Sequence, residues 1–192
     1  KSASASATGE TPPAPKAAEW IPDLPPEIVA QLPTCSSFLP FFLLVIIAMH
    51  VKLVNPSPIF GLALLLAALV LGLAKILKFD WLPAVGLGGV LMVEYAWHGR
   101  AFSAGENPAL VLAWYLGFAA LFLAYPFFVR IDSGVRIVPW ATAALSAPLH
   151  FGIIYAVVKE SWPNDYMGLL PAALAVPMIV ALVRLLKILP AE

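Results

Sequence analysis

Six apolar stretches, separated by short polar loops, fill the chain from Phe38 to its C-terminal end. A bilayer core about 30 Å thick requires about 20 residues of helix to cross it, and a soluble domain has no reason to repeat this length. The pattern therefore predicts an all-α, polytopic transmembrane helical bundle of about six spans. The predicted spans are Phe38–Val51, Ile59–Leu77, Trp81–Trp97, Pro108–Val129, Ile137–Val158 and Met167–Leu189.

The N-terminal part of the chain differs from the rest. Residues 1–15 are rich in Ala, Ser and Pro, a composition that cannot bury enough apolar surface to offset the conformational entropy of folding. Between Trp20 and Gln31, the pair Pro25-Pro26 favours the start of a short helix at the membrane surface, because proline is tolerated in a first helical turn. The chain is therefore divided into a disordered arm, residues 1–35, and a six-helix transmembrane domain, residues 36–192.

The composition agrees with burial in lipid. Hydrophobic residues make up 61% of the chain and charged residues only 11%, with a mean hydropathy of +0.91, whereas soluble domains have about 25% charged residues. The net charge is zero, so no basic field indicates nucleic acid. The single cysteine, Cys35, excludes an internal disulfide and the usual multi-thiolate zinc site. We expect the lipid bilayer and other membrane subunits as partners, with no metal or cofactor.

The basic residues predict the orientation, because Lys and Arg near the ends of spans stay on the cytoplasmic side. With six spans, the even-numbered loops share a side with both termini. Six basic residues belong to that side, which are Lys75, Lys78, Arg130, Arg136, Arg184 and Lys187. Three belong to the other side, which are Lys52, Arg100 and Lys159. This asymmetry predicts a multi-pass protein of the bacterial inner membrane with both termini in the cytoplasm.

Ionisable residues inside the spans are the candidate polar site, because each is costly in lipid unless it faces a partner or water. The candidates are Glu94, His98, His150, His50 and Arg100. On the predicted topology four of them gather towards the outer face, and His150 lies deeper on the same side. Such a set would bind a metal, relay protons, or bind an anionic headgroup together with Lys52. In the structural alternative, Glu94 pairs with His98 or Arg100 as an interfacial cap.

Small residues and prolines predict where helices approach or break. The third span has a small-residue face made of Ala84, Gly86, Gly88 and Gly89. Within it, Ala84 and Gly88 are four residues apart, so a neighbouring backbone could approach closely there. Pro148 and Pro177 fall in the middle of the fifth and sixth spans, and each frees a carbonyl group one turn earlier. Paired interrupted helices build ion and substrate sites in many transporters, whereas a simple kink is the ordinary result of a proline.

Several runs resemble a family of multi-pass bacterial membrane proteins that is described only as a domain of unknown function. They are Asn55–Leu66, Ala113–Phe122, Pro148–Phe151 and Met167–Ala173. The resemblance covers about residues 36–190 and implies a helical membrane protein. Members are generally much longer, so the resemblance implies that this chain is a fragment or a compact relative. The family has no established catalytic residues, so the resemblance implies none here.

The sequence favours a non-enzymatic membrane component, either a transport-type module or an accessory subunit of a larger inner-membrane assembly. The alternative is a membrane enzyme that acts on a lipid or lipid-linked substrate near the outer leaflet, with Glu94 as acid or base and His98 or His150 assisting. Geometry discriminates between them. A water-filled cavity joining Glu94 to His150 would favour transport or catalysis, and a closed bundle with apolar flanks would favour a subunit.

Overall fold

Six α-helices make up most of the structure, a computed structural model that describes residues 26–51, 53–103, 107–128, 137–162 and 165–188. The helices are α1 (Pro26–His50), α2 (Ser57–Leu77), α3 (Leu82–Ala101), α4 (Pro108–Phe128), α5 (Ile137–Ser161) and α6 (Leu169–Ile188), with a short 3-10 helix, Asp165–Gly168, before α6. No strand occurs within these ranges. The prediction of an all-α protein is therefore confirmed for the described part of the chain.

Three helices, α2, α4 and α5, are long and apolar enough to cross a membrane. Shorter apolar segments, Ser36–His50 and Leu169–Arg184, lie within α1 and α6. Helix α3 has 20 residues but is less apolar, because it contains four glycines, Glu94 and His98. Length and hydropathy thus identify three candidate spans among the six helices.

The first helix begins earlier than the sequence pattern predicts. A short surface helix and a separate span beginning at Phe38 were expected, but α1 runs without interruption from Pro26 to His50. No glycine lies between these residues to end the helix. Residues 1–25, most of the predicted arm, lie outside the described residues. The chain divides into two units, Lys1–Leu32 and Pro33–Glu192, and the packing below is that of the second unit.

The loop before α2 shows how the sequence positions a helix start. The Asn55 side-chain oxygen accepts a hydrogen bond of 3.0 Å from the backbone N–H of Ser57, and Pro56 and Pro58 flank the first helical residue. At the other end, Lys78 adopts the left-handed conformation with φ 56°, and its N–H bonds to the carbonyl oxygen of Ala74. This is the usual geometry of a helix C-terminus.

Helix α3 lies inside the bundle. It packs against α2, α4 and α5, while α5 also packs against α4 and α6. Its buried residues are Leu82, Pro83, Gly86, Leu87, Gly89, Val90, Val93, Glu94 and Trp97. Neighbouring helices cover this set, so α3 does not require the uniformly apolar surface that lipid-facing helices need.

Large apolar side chains cover the outside of the other helices. Those exposed on α2 and α6 include Leu62, Leu65, Leu69, Ile76, Leu169, Val176, Ile179, Val180 and Leu186. Soluble proteins rarely expose continuous apolar surface of this extent. The outer surface is that of a protein that contacts lipid or other apolar helices.

Aromatic rings fill the space between α2, α3 and α4 near the start of α2. Phe60 is fully buried, and its ring centroid lies 5.4 Å from that of Trp97 and 5.8 Å from that of Tyr115. The indole N–H of Trp97 donates to the carbonyl oxygen of Leu53, at 2.9 Å. The cluster thus fixes the first half of α2 against α3 and α4.

Within the predicted small-residue face of α3, the close contacts occur at Gly86 and Gly89 and not at Gly88. A Cβ atom added at Gly88 would meet nothing within 4 Å, whereas one at Gly89 would lie 2.5 Å from Cγ of Phe41. A Cβ atom at Gly86 would lie 3.3 Å from Val70 and 3.4 Å from Phe122. Gly86 and Gly89 are three residues apart and share a face, so this face, and not that of Gly88, receives the neighbouring side chains.

We predict that Gly89→Ala destabilises the protein by about 1–3 kcal/mol, because the new methyl group overlaps a buried ring that has no space to move. Gly88→Ala is the matched control on the same helix, and its effect should range from neutral to a stabilisation of up to about 1 kcal/mol. The measurement is the free energy of unfolding in denaturant titrations of protein purified in mild detergent. Equal stability of the two variants would contradict the packing of Phe41 on Gly89.

Candidate functional site

A buried carboxyl–imidazole pair joins α3 to α5. The side chains of Glu94 on α3 and His150 on α5 are both 0% exposed. Oε2 of Glu94 lies 3.1 Å from Nε2 of His150, which is ion-pair distance, although the alignment departs from hydrogen-bond angles. The structure therefore brings together two of the five polar residues that the sequence analysis selected.

His150 is oriented by its own helix. Its Nδ1 atom lies 2.7 Å from the carbonyl oxygen of Ser146, one turn earlier. Because a carbonyl oxygen only accepts hydrogen bonds, we assign the ring hydrogen to Nδ1. Nε2 is then the atom that faces Glu94.

This assignment limits the protonation of the pair. Either a protonated Glu94 donates to Nε2, or the Nε2–H of a charged His150 faces the Glu94 carboxylate. In both arrangements one hydrogen lies between the two side chains and the net charge is zero. A third arrangement, a carboxylate facing a bare Nε2, would bury an uncompensated charge at a cost of several kcal/mol. The two neutral arrangements therefore share one hydrogen between Glu94 and His150.

Two further contacts fix α5 in this position. The Ser146 hydroxyl donates to the carbonyl oxygen of Ala119 on α4, at 3.0 Å. The Tyr95 hydroxyl donates to the carbonyl oxygen of Leu149 on α5, at 3.2 Å. A Cβ atom at Gly152 would lie 2.9 Å from the Tyr95 oxygen, so glycine makes room for this contact. Together these bonds hold α3, α4 and α5 around the buried pair.

The sequence analysis missed both of these hydrogen-bonding residues. A signal for Ser146 exists, since it lies four residues before His150 on the same predicted helix. Tyr95 follows Glu94 directly near the end of the predicted span, a place equally typical of an aromatic residue at a membrane interface. In the structure it is exposed.

His98 lies apart from the pair, although it is four residues from Glu94. Its Nδ1 atom is 3.3 Å from the Tyr115 hydroxyl on α4, and its ring stacks on Phe102 with centroids 4.7 Å apart. The structural alternative in which Glu94 pairs with His98 therefore differs from the structure, where Glu94 lies against His150. The reason is geometric, because Glu94 faces α5 whereas His98 is near the end of α3 and contacts α4.

Two further candidates also lie apart from Glu94 and are exposed, His50 at the C-terminal end of α1 and Arg100 in the last turn of α3. Nδ1 of His50 is 2.9 Å from the carbonyl oxygen of Ile46, and Nε of Arg100 donates to that of Met49, at 3.2 Å. Met49 is in the last helical turn, where carbonyl groups have no partner within the helix, so the Arg100 side chain satisfies one of them. Lys52, the third cation of the proposed headgroup site, lies outside the described residues.

Neither of the two helix-break candidates, Pro148 and Pro177, interrupts its helix. Helices α5 and α6 continue through Pro148 and Pro177, because a helix tolerates the loss of one hydrogen bond where neighbouring helices support it. Pro148 instead lines an apolar groove of about 210 Å³ between α5 and α6.

The Glu94–His150 pair offers a metal ion two ligand groups, fewer than the three or four protein ligands of typical zinc sites.

We predict that Glu94→Ala lowers the free energy of unfolding by about 3–5 kcal/mol, because it leaves Nε2 of His150 buried without a partner. Glu94→Gln should stay within about 1 kcal/mol of wild type, since an amide N–H can still donate to that nitrogen. Glu160→Ala, at an exposed glutamate of α5, is the control. Denaturant titrations in mild detergent measure all three, and a Glu94→Ala variant as stable as the control would contradict the pairing.

Searches of protein-family models, curated proteins and solved structures give no match to this chain. The resemblance to a family of multi-pass bacterial membrane proteins therefore stays a prediction from the sequence. Any functional argument rests on the geometry of the chain itself.

Proposed function

We propose that the protein is a six-span component of the bacterial inner membrane, with both termini in the cytoplasm, that acts as an accessory subunit of a larger membrane assembly. The observation that carries this proposal is the contrast between the enclosed Glu94–His150 pair and the apolar outer surface. Inside the bundle, Glu94 and His150 lie at ion-pair distance from each other, whereas the perimeter offers large apolar side chains.

The length and placement of the helices support six spans. A helix of 20 residues is about 30 Å long, which matches the hydrocarbon core of a bilayer. Helix α3 has this length, and its lower hydropathy follows from its position inside the bundle. Helices α1 and α6 have 25 and 20 residues and carry exposed large apolar side chains.

The enclosure of the pair favours a subunit over a catalyst or a carrier. Glu94 would have to reach a lipid substrate to act as acid or base, and it has no exposed surface. Two grooves at the surface of the described bundle, one between α5 and α6 and one between α2 and α4, are lined by other residues. A sealed, charge-neutral pair between α3 and α5 acts as a specific helix–helix contact inside an apolar core.

We predict that the tagged protein, extracted from its native membrane in mild detergent, co-purifies with another integral membrane protein in near-stoichiometric amount. An unrelated six-span protein carrying the same tag is the control, and the partner must be absent from its eluate. Mass spectrometry of the eluates identifies the partner, and native electrophoresis gives the size of the complex.

The contrary outcome is a protein that elutes alone and, in liposomes, supports a proton or cation flux that Glu94→Gln abolishes. That result would assign the buried pair to transport and would contradict the subunit proposal. Because Glu94→Gln retains hydrogen bonding at the site, a loss of flux in this variant would reflect the loss of a titratable group and not unfolding.

A further inference from the structure

A groove opens between the second halves of α2 and α4. Its volume is about 300 Å³, and it is lined by Ala68, Leu71, Gly72, Lys75, Leu121, Ala124, Tyr125 and Phe128. The aromatic cluster around Phe60 joins the first halves of the same helices. Helix α3 lies behind, since Gly86 faces both Val70 of α2 and Phe122 of α4. The groove is therefore an indentation of the bundle surface that small residues keep open.

One end of the groove has a positive charge. Lys75 lies in the last turn of α2, lines the groove and is exposed. Lys78 follows one turn later and is also exposed. Asp80 is the acidic residue nearest in sequence, and it is half-buried with interactions of its own. The remaining lining is apolar apart from the Tyr125 side chain, so a charged group and an apolar chain would find separate places in one site.

The charge distinguishes this groove from the one between α5 and α6. That second groove is lined by seven residues without a charge, which are Ala147, Pro148, Phe151, Pro171, Leu174, Ala175 and Met178. An uncharged groove fits any apolar occupant. The α2–α4 groove combines a cation with an apolar lining. Basic pockets between helices on the cytoplasmic side of a membrane bind anionic headgroups.

We propose that the α2–α4 groove binds an anionic phospholipid of the cytoplasmic leaflet, with one acyl chain along Ala68, Gly72 and Ala124 and the phosphate group at Lys75. The inference rests on the proposed membrane insertion, which places the end of α2 at the cytoplasmic surface. It goes beyond the subunit proposal, because it assigns a ligand class to a surface that the buried pair does not involve.

The chain offers matched variants for a test. Gly72→Leu fills the groove, and a Cβ atom at this position meets nothing within 4 Å, so the variant should fold. Gly61→Leu is its control, since Gly61 lies three turns earlier on nearly the same face of α2 with equally open space. Lys75→Gln removes the charge, and Lys159→Gln removes an exposed charge from the end of α5.

The experiment measures lipid affinity of the purified full chain in detergent, by native mass spectrometry with dioleoyl-phosphatidylglycerol and dioleoyl-phosphatidylcholine. We expect wild type to prefer the anionic lipid about fivefold, the contribution of one lysine near a headgroup. Lys75→Gln should remove this preference, and Gly72→Leu should weaken the binding of both lipids. Gly61→Leu and Lys159→Gln should bind as wild type, and glycerol phosphate without acyl chains should not compete.

Equal affinity of wild type for the two lipids would overturn the proposal, as would wild-type binding by Gly72→Leu or by Lys75→Gln. Competition by glycerol phosphate alone would indicate a simple anion site, and cross-linking of position 72 to a co-purified polypeptide would indicate a protein partner. Either result would overturn the lipid proposal.

Insertion is tested separately by impermeant labelling of Ala5→Cys and Ser103→Cys in intact cells, with Cys35 replaced by Ser. Labelling at position 103 alone supports the orientation, so a failed lipid site is distinguishable from a failed topology.

Discussion

The contact between Glu94 and His150 is the constraint on which the arrangement of the bundle depends. Both side chains are without exposed surface, and their facing atoms lie 3.1 Å apart. Separating two such groups in an apolar interior would leave each without compensation, which costs several kcal/mol per ion. Helices α3 and α5 therefore cannot slide or rotate relative to each other without losing this contact. Apolar packing alone would permit many nearly equivalent arrangements of these helices.

The other features of the core follow from the position of α3. Because this helix carries the carboxyl group, it lies inside the bundle, where α2, α4 and α5 pack against it. Its glycines allow that close approach, with Phe41 against Gly89 and both Val70 and Phe122 against Gly86. The outer surfaces of the surrounding helices carry large exposed apolar side chains. The proposed function as a subunit is consistent with a buried polar contact inside the bundle and apolar side chains outside it.

Helix positions were predictable from the sequence because they depend on local properties, but the contacts between helices were not. The predicted spans Ile59–Leu77 and Pro108–Val129 nearly coincide with α2 and α4, since Pro and polar residues mark their ends. The partner of Glu94 was uncertain, because spacing places His98 on the same face whereas the partner across a helix interface depends on helix rotation. The same limit explains why spacing singled out Ala84 and Gly88 within a small-residue face that also included Gly89. A step of one residue along a helix rotates the side-chain direction by about 100°. That step separates the open space at Gly88 from the buried ring of Phe41 at Gly89.

A double-mutant cycle tests the central claim most directly. The free energy of unfolding would be measured for wild type, Glu94→Ala, His150→Ala and the double variant in the same detergent. Each single substitution leaves one buried polar partner uncompensated, whereas the double substitution removes both. We therefore predict that the double variant loses less stability than the sum of the singles, with a coupling of about 2 kcal/mol. Effects that add within about 0.5 kcal/mol would show that the two side chains contribute independently and would contradict the account.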